Sequence, residues 1–241
     1  MRVALISDIH GNLVALETVL ADLAGQAVDR IVCLGDVAAT GPQPHEAIER
    51  LRALNCPVVM GNTDEWLITA RPATAASDEI HQAIDRWCRE QLTAADLDFL
   101  RTFAPTIEVA LDDKTALLCV HGSPRSNTEA IETTTPDDAL APMLSNTAAL
   151  VIASGHTHVQ MLRRYNGQIV INPGSVGLPY EILGASDEIR NPPWAEYAIL
   201  SWHGQRLGIE LRRVPLDIRA VTRAALESGM PYVEAWVRDW R

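Results

Sequence analysis

The sequence predicts an α/β fold, and three observations carry that expectation. Short apolar runs recur at Val3–Ile6, Ile31–Leu34, Pro57–Met60, Ala116–Val120 and Leu150–Ala153, the pattern of buried parallel strands. Segments with helical spacing separate the first three of them. A polar cluster follows, or nearly follows, each run: Ser7-Asp8-Ile9-His10-Gly11-Asn12, Gly35-Asp36, Gly61-Asn62-Thr63-Asp64, His121-Gly122 and Gly155-His156-Thr157-His158. Open α/β sheets bind ligands where strand carboxyl ends run into loops, so the same pattern also locates a site.

In chain order, residues 2–7 read as a strand and residues 11–24 as a helix with Leu13, Leu16, Val19, Leu20 and Leu23 at helical spacing. A strand at Ile31–Leu34, a helix near His45–Leu54 and a third strand at Pro57–Met60 complete a β-α-β-α-β opening, which specifies parallel pairing with right-handed crossovers. Residues 64–103 read as helical with a break around Arg71–Ser77, and Thr93-Ala-Ala-Asp96 as a capping box with Asp in the usual Glu position. Two strands, Ile107–Leu111 and Thr115–Val120, flank the turn Asp112-Asp113-Lys114. A short helix over Pro136–Leu144 precedes the strand Ala149–Ser154. Asn166-Gly167 marks a two-residue hairpin between Val159–Tyr165 and Gln168–Asn172. Residues 178–193 read as a long surface loop bordering the site, because they follow the tight turn Asn172-Pro173-Gly174-Ser175. Two more strands pair around His203-Gly204, and a helix from Pro215 onward breaks at Gly229-Met230-Pro231. With no repeat or linker, residues 1–241 form one domain.

Composition narrows the function classes. The 241 residues are 47% hydrophobic and 21% charged, which suits an ordinary folded core. No apolar stretch approaches the roughly 20 residues that span a bilayer, and the first strand begins without a leader, so a cytoplasmic protein with no membrane partner is expected. Cys33, Cys56, Cys88 and Cys119 lack C-x-x-C spacing, which argues against both a disulfide framework and a thiolate zinc site. A net charge of −11 opposes binding of long nucleic acid. It leaves room for a small phosphate ester, since bound cations reverse the local field.

Asp8-x-His10 and His156-x-His158 each set two ligand-type side chains two residues apart, and in extended backbone both point to one face. Mixed carboxylate and imidazole donors suit Mn, Fe, Co, Ni or Zn better than Mg. Asp8, His10, Asp36, Asn62, His121, His156 and His158 exceed the three protein ligands of one catalytic zinc. They suit two cations about 3.5–4 Å apart that share a carboxylate, with Asp36 the candidate bridge. Two such cations acidify a shared water for in-line attack on phosphorus, so metal-assisted phosphoester hydrolysis is the expected chemistry. Asp36, Asn62 and His121 are the candidate catalytic residues.

The ordered set Asp8-x-His10, Gly35-Asp36, Gly61-Asn62, His121 and Gly155-His156-x-His158 resembles the calcineurin-like metallophosphoesterases. Asn172-Pro173-Gly174-Ser175-Val176-Gly177, with the tail Arg213-Val214-Pro215, resembles their small bacterial and archaeal phosphodiesterase branch. The resemblance implies a four-layer α/β/β/α sandwich with two mixed sheets flanked by helices. It also implies two divalent cations, Mn foremost, one held by Asp8, His10, Asp36 and His158, the other by Asp36, Asn62, His121 and His156. A bridging hydroxide would then hydrolyse a phosphodiester in a small or nucleotide-like substrate. The alternatives are a phosphomonoesterase or protein phosphatase of the same fold, and a non-catalytic interaction scaffold such as the related retromer subunit.

Three departures stand out. Thr63 occupies the place where many relatives carry a histidine that protonates the leaving oxygen, which a hydroxyl cannot do near neutral pH. Asp64, the partner of that histidine, is free to cap the next helix. Leu178-Pro179-Tyr180 replaces Gln-Pro-Arg, which makes Arg125 a candidate phosphate contact alongside Asn12. A loop charge and a helix-opening residue are the plain readings of those two. His45, His81 and His203 read as surface or helix histidines, the glycines beside the clusters as sharp turns, and the Trp-rich tail as a candidate oligomer interface.

Overall fold

The computed structural model describes residues 1–71, 79–183 and 188–240. Its elements are β1 (Arg2–Ile6), α1 (Leu13–Leu23), β2 (Arg30–Cys33), α2 (Pro44–Leu54), α3 (Asn62–Thr69), α4 (Glu79–Glu90), α5 (Ala94–Leu100), β3 (Ile107–Ala110) and β4 (Ala116–Cys119). They continue with α6 (Asp137–Met143), β5 (Val151–Ala153), β6 (Met161–Tyr165), β7 (Gln168–Asn172), β8 (Glu181–Leu183), β9 (Glu188–Arg190), β10 (Trp194–His203), β11 (Arg206–Pro215), α7 (Ile218–Ser228) and α8 (Val233–Arg238).

Two mixed sheets result, ordered β11-β10-β1-β2 and β3-β4-β5-β7-β6. Strand periodicity builds the layers. Along β1, Ala4 and Ile6 pack with α1, α2 and the C-terminal helices, while Val3 and Leu5 face Leu117, Val151 and Ile171 of the second sheet. That sheet turns Leu118, Ile152 and Val170 outward onto Leu140 and Leu144, in and just after α6. Three apolar cores thus separate four layers, the sandwich that the resemblance implies. Pairing is parallel for β1 with β2 and for β4 with β5, and antiparallel for β1 with β10.

Local expectations hold where local chemistry dominates. Thr93 caps α5 by accepting from Asp96 N–H, and Asp96 accepts in return from Thr93 N–H at 2.8 Å. Pro57–Met60 differs. It forms only single bridges, Val58 to Cys33 and Val59 to Ala104, because Met60 N–H turns to Ala104 and α3 begins at Asn62. The expected surface loop at 178–193 also carries order, since β8 and β9 pair as a hairpin. The expected break near Arg71–Ser77 lies largely outside the described residues. In the tail, Trp236 and Trp240 are buried against each other with centroids 5.6 Å apart, so these tryptophans belong to the core and not to an open face. No helix among the described residues is long and apolar enough to cross a membrane.

Asp96 also anchors α2. His45 Nδ1 donates to its carboxylate at 2.8 Å, and Arg52 reaches the other oxygen at 3.1 Å. The hydrogen bond to Asp96 raises the His45 pKa above its ordinary value. Because the folded state holds that proton more tightly, the stabilisation is complete below the unfolded pKa of about 6.5 and is lost as pH rises through the higher folded value. Solvent reaches 40% of the His45 side chain, which limits the effect to roughly 0.5 kcal/mol. Urea melts on either side of neutrality will show this alkaline loss in the wild type and not in His45→Gln.

Candidate metal centre

The parallel strands end on one edge of the sandwich, and backbone hydrogen bonds gather their loops there. Asp8 N–H donates to Gly35 carbonyl (2.9 Å), His10 N–H to Asp36 carbonyl (3.0 Å) and Gly155 N–H to His121 carbonyl (2.7 Å). Asp64, fully buried, accepts from the backbone N–H groups of Asp36, Val37 and Gly61 at 2.8–3.1 Å. Its role is therefore wider than capping α3: it braces the Asp36 loop. The Asn172–Gly177 motif backs the opposite side. Ser175 Oγ donates to Asp8 carbonyl at 2.7 Å, Gly177 N–H does so at 2.9 Å, and Asn172 Nδ2 donates to Gly155 carbonyl at 2.7 Å.

The x-spaced pairs converge for a different reason from the one the sequence suggests. Asp8, His10, Asp36, His156 and His158 all sit in left-handed backbone, with φ of 55°, 47°, 56°, 69° and 56°. The pleat of a strand does not aim them; tight turns do. Non-glycine residues avoid this conformation at a cost of about 1–3 kcal/mol each, and such outliers gather at functional sites. The glycines divide similarly. Gly11 and Gly35 have positive φ, whereas a Cβ at Gly155 would stand 2.1 Å from Ser7 Oγ, so Gly155 is needed for closeness and not for turning.

Six of the seven expected ligands form two adjoining triads. Asp8, His10 and His158 place ligand atoms within 4.8 Å of one another, and so do Asp36, His121 and His156. Asp36 joins the two, its Oδ2 lying 3.8 Å from His10 Nε2 and 3.4 Å from His121 Nε2. Asn62 Oδ1, the seventh, is 2.9 Å from His121 Nε2.

The donor chemistry fits cations. The Nδ1 atoms of His10, His121 and His158 face the carbonyls of Ala39, Leu34 and Leu178 at 2.7–3.0 Å, so each must carry its proton there. That turns the Nε2 lone pairs inward. His10 Nε2 then meets His158 Nε2 at 3.0 Å, and His121 Nε2 meets only oxygens. Buried Asp8 Oδ1 has no hydrogen-bond partner, with His158 Nε2 3.4 Å away. Acceptors packed against acceptors require positive charge between them.

The protonation equilibria report the same demand. Burial and the nearby His158 push His10 down to about 4. Burial opposes charge on His121 too, yet the carboxylates of Asp36 and Asp8 raise it to about 9. Against the same burial, Asp8 raises His158, and the histidines keep Asp8 and Asp36 below the usual carboxylate range. Burial and His121 together lower His156.

The two expected substrate contacts fare differently. Asn12 is committed to the fold: its Oδ1 accepts from Ala15 N–H and its Nδ2 donates to Gly177 carbonyl, with the side chain buried. It caps α1, which corrects the phosphate-contact reading. Arg125 lies in a pocket shared with His121, but its guanidinium is paired with Glu129. The 178–193 segment does border the site, since Leu178, Tyr180, Ile189 and Asn191 line a cleft of about 390 Å³ with His10, Asp36 and Asn62. His81, Asp85, Trp66 and Trp236 line it as well. For His81, Asp85 and Trp236 the sequence spacing carried no signal, because α4 and α8 reach the site through tertiary packing alone.

Comparison with known proteins agrees with this geometry. Residues 1–201 match the calcineurin-like phosphoesterase superfamily domain. A metallophosphoesterase from Sphaerobacter thermophilus is 30% identical, with a TM-score of 0.75 over 99% of this chain and 98% of its own. A hypothetical protein from Pyrococcus horikoshii superposes with a TM-score of 0.80 at 18% identity over 98% of this chain and 97% of its own, a likeness of fold. An uncharacterised protein of Methanocaldococcus jannaschii is 28% identical over 95% of this chain and 93% of its own.

Proposed function

From the premise that this chain belongs to the calcineurin-like phosphoesterase superfamily, we propose that it hydrolyses a phosphodiester bond in a small or nucleotide-like substrate with two divalent cations. The inward-facing acceptors of the two triads carry this reading. Asp8, His10, Asp36 and His158 would hold one cation and Asp36, Asn62, His121 and His156 the other, with Asp36 shared. When bound, a pair of cations neutralises phosphoryl oxygens and lowers the pKa of a water towards 7. The chain's own part is to hold the donors rigidly. Backbone carbonyls fix the imidazole tautomers, Asp64 fixes the Asp36 loop, and Thr63 N–H orients Asp36 by donating to its Oδ1 at 2.9 Å.

One observation favours a diester over a monoester: the site opens on two sides. The cleft of about 390 Å³ adjoins a second of about 440 Å³ that contains Trp194 and Arg213, and His158 and Tyr180 line both. Each cleft can take one arm of a diester, whereas a monoester fills only one.

Manganese is the first cation to test. The purified chain will bind two Mn ions, and an activated aryl phosphodiester will turn over with Mn and stop on chelation. In a screen of diesters, cyclic nucleotides and monoesters, kcat/KM will be higher for the aryl diester than for a phosphoserine peptide. The reverse order favours the protein-phosphatase reading, and fewer than two bound metals after reconstitution favours the scaffold.

A further inference from the structure

The sequence removes the usual proton donor for the leaving oxygen by placing Thr63 after Asn62, and the fold brings an imidazole to the same cleft from elsewhere. His81, in the first turn of α4, lines the cleft that also contains Asn62, Thr63, His10 and Asp36. Asp85 follows one turn later, and residues four apart share a helix face. That face is latched to the metal-bearing loop. Thr40 Oγ1 donates to Asp85 Oδ1 at 3.0 Å, and Cys88 Sγ contacts Gly41 carbonyl at 3.4 Å. Thr40 lies four residues after Asp36 in one loop, and its carbonyl accepts from Trp236 Nε1 at 2.9 Å. α4 and α8 therefore both hold this loop, which ties the helix that carries His81 to the loop that carries Asp36.

Resting on the phosphodiesterase reading above, we infer that His81 protonates the leaving oxygen and that Asp85 is its positioning residue. In the step, oxygen of the attacking water bonds to phosphorus while the bond from phosphorus to the leaving oxygen breaks. The electron pair stays on the leaving oxygen, which takes the imidazolium proton and departs as an alcohol. The neutral imidazole recovers a proton from the one that the attacking water releases. Imidazole is the commonest general acid for such a transfer. His81 is exposed and Asp85 half-buried on the same helix face, and the two interact electrostatically, so one can meet substrate while the other steadies it. Burial raises Asp85 to about 6, nearby Asp36 adds to that, and the His81 ring and the Thr40 bond act the other way. This carboxyl thus responds to the ring beside it. Among the described residues, Asp239 at the end of α8 is the further acidic group lining this cleft beside Asp36 and Asp85.

Leaving-group dependence separates this role from a structural one. An activated aryl ester departs without a proton, and an alkyl or unsubstituted phenyl ester does not. With Mn-loaded full-length protein, His81→Gln will lower kcat on the poor-leaving-group diester by about 10²-fold or more. The nitrophenyl diester will change less than about threefold, because general acid assistance is absent there. Asp85→Asn will show the same split to a smaller extent, and metal content will remain at two in both variants. An equal loss on both esters, or no loss on either, overturns the assignment. A split confined to Asp85→Asn moves the proton to the carboxyl and overturns it too. A wild type inactive on the nitrophenyl diester with two metals bound overturns the phosphodiesterase reading and this assignment with it.

Discussion

Asp36→Asn will reduce hydrolysis of the aryl diester by roughly 10³-fold or more, the upper end of what one preorganised charge-stabilising group contributes. The substitution is chosen to change charge and little else. Asp36 is buried with φ of 56°, a conformation that asparagine tolerates better than most residues. The amide oxygen can still accept from Thr63 N–H, the bond that Asp36 Oδ1 makes at 2.9 Å. What disappears is the negative charge between His10 and His121, the carboxylate that joins the two triads. Metal analysis will therefore fall below two per chain, while circular dichroism stays that of the wild type. Equal rates for the two proteins would end the dinuclear reading.

Gly41→Ala will have the largest effect on stability. A Cβ at Gly41 would stand 1.7 Å from the His10 carbonyl oxygen and 3.2 Å from Gly11 C, all backbone atoms that cannot rotate away. The loops after β1 and β2 are also laced together there, by Gly11 N–H to Val37 carbonyl (2.8 Å) and Gln43 N–H to Gly11 carbonyl (2.8 Å). One methyl group must separate them. The cost will exceed about 4 kcal/mol, the range of severe overpacking, which for a chain of this size lowers Tm by roughly 8–16 °C. Gly25→Ala, where the nearest atom is Asp22 O at 3.7 Å, will be near neutral. Mn will protect the Gly41→Ala variant less than the wild type, because the displaced loop carries His10.

The clustering of the triad aspartates and histidines was legible in the sequence because the apolar runs mark the strand ends from which they project. The parallel opening, the capping box at Thr93 and the Asn166-Gly167 hairpin were legible as well, since each is decided within a few residues. Three features were not. The Pro57–Met60 run has strand composition, yet the need to begin α3 at Asn62 limits it to single bridges. The β8–β9 pairing lies in a segment rich in turn formers. The left-handed backbone at Asp8, His10, Asp36, His156 and His158 contradicts what these residues prefer by themselves. Only the hydrogen bonds of neighbouring loops hold it, and such bonds leave no local pattern. His81 is the exposed helix histidine that its sequence context suggests, but local spacing could not show that α4 brings it to the cleft.

That left-handed backbone has an evolutionary corollary. A lineage released from the demand for catalysis would become sturdier by exchanging these aspartates and histidines for glycine or asparagine, since each exchange relaxes the main chain and removes a buried charge or an opposed lone pair. Decay of the chemistry would run downhill in folding free energy and recovery would run uphill. Retired descendants of such a chain should keep its architecture, melt later than the working ones and seldom return to work.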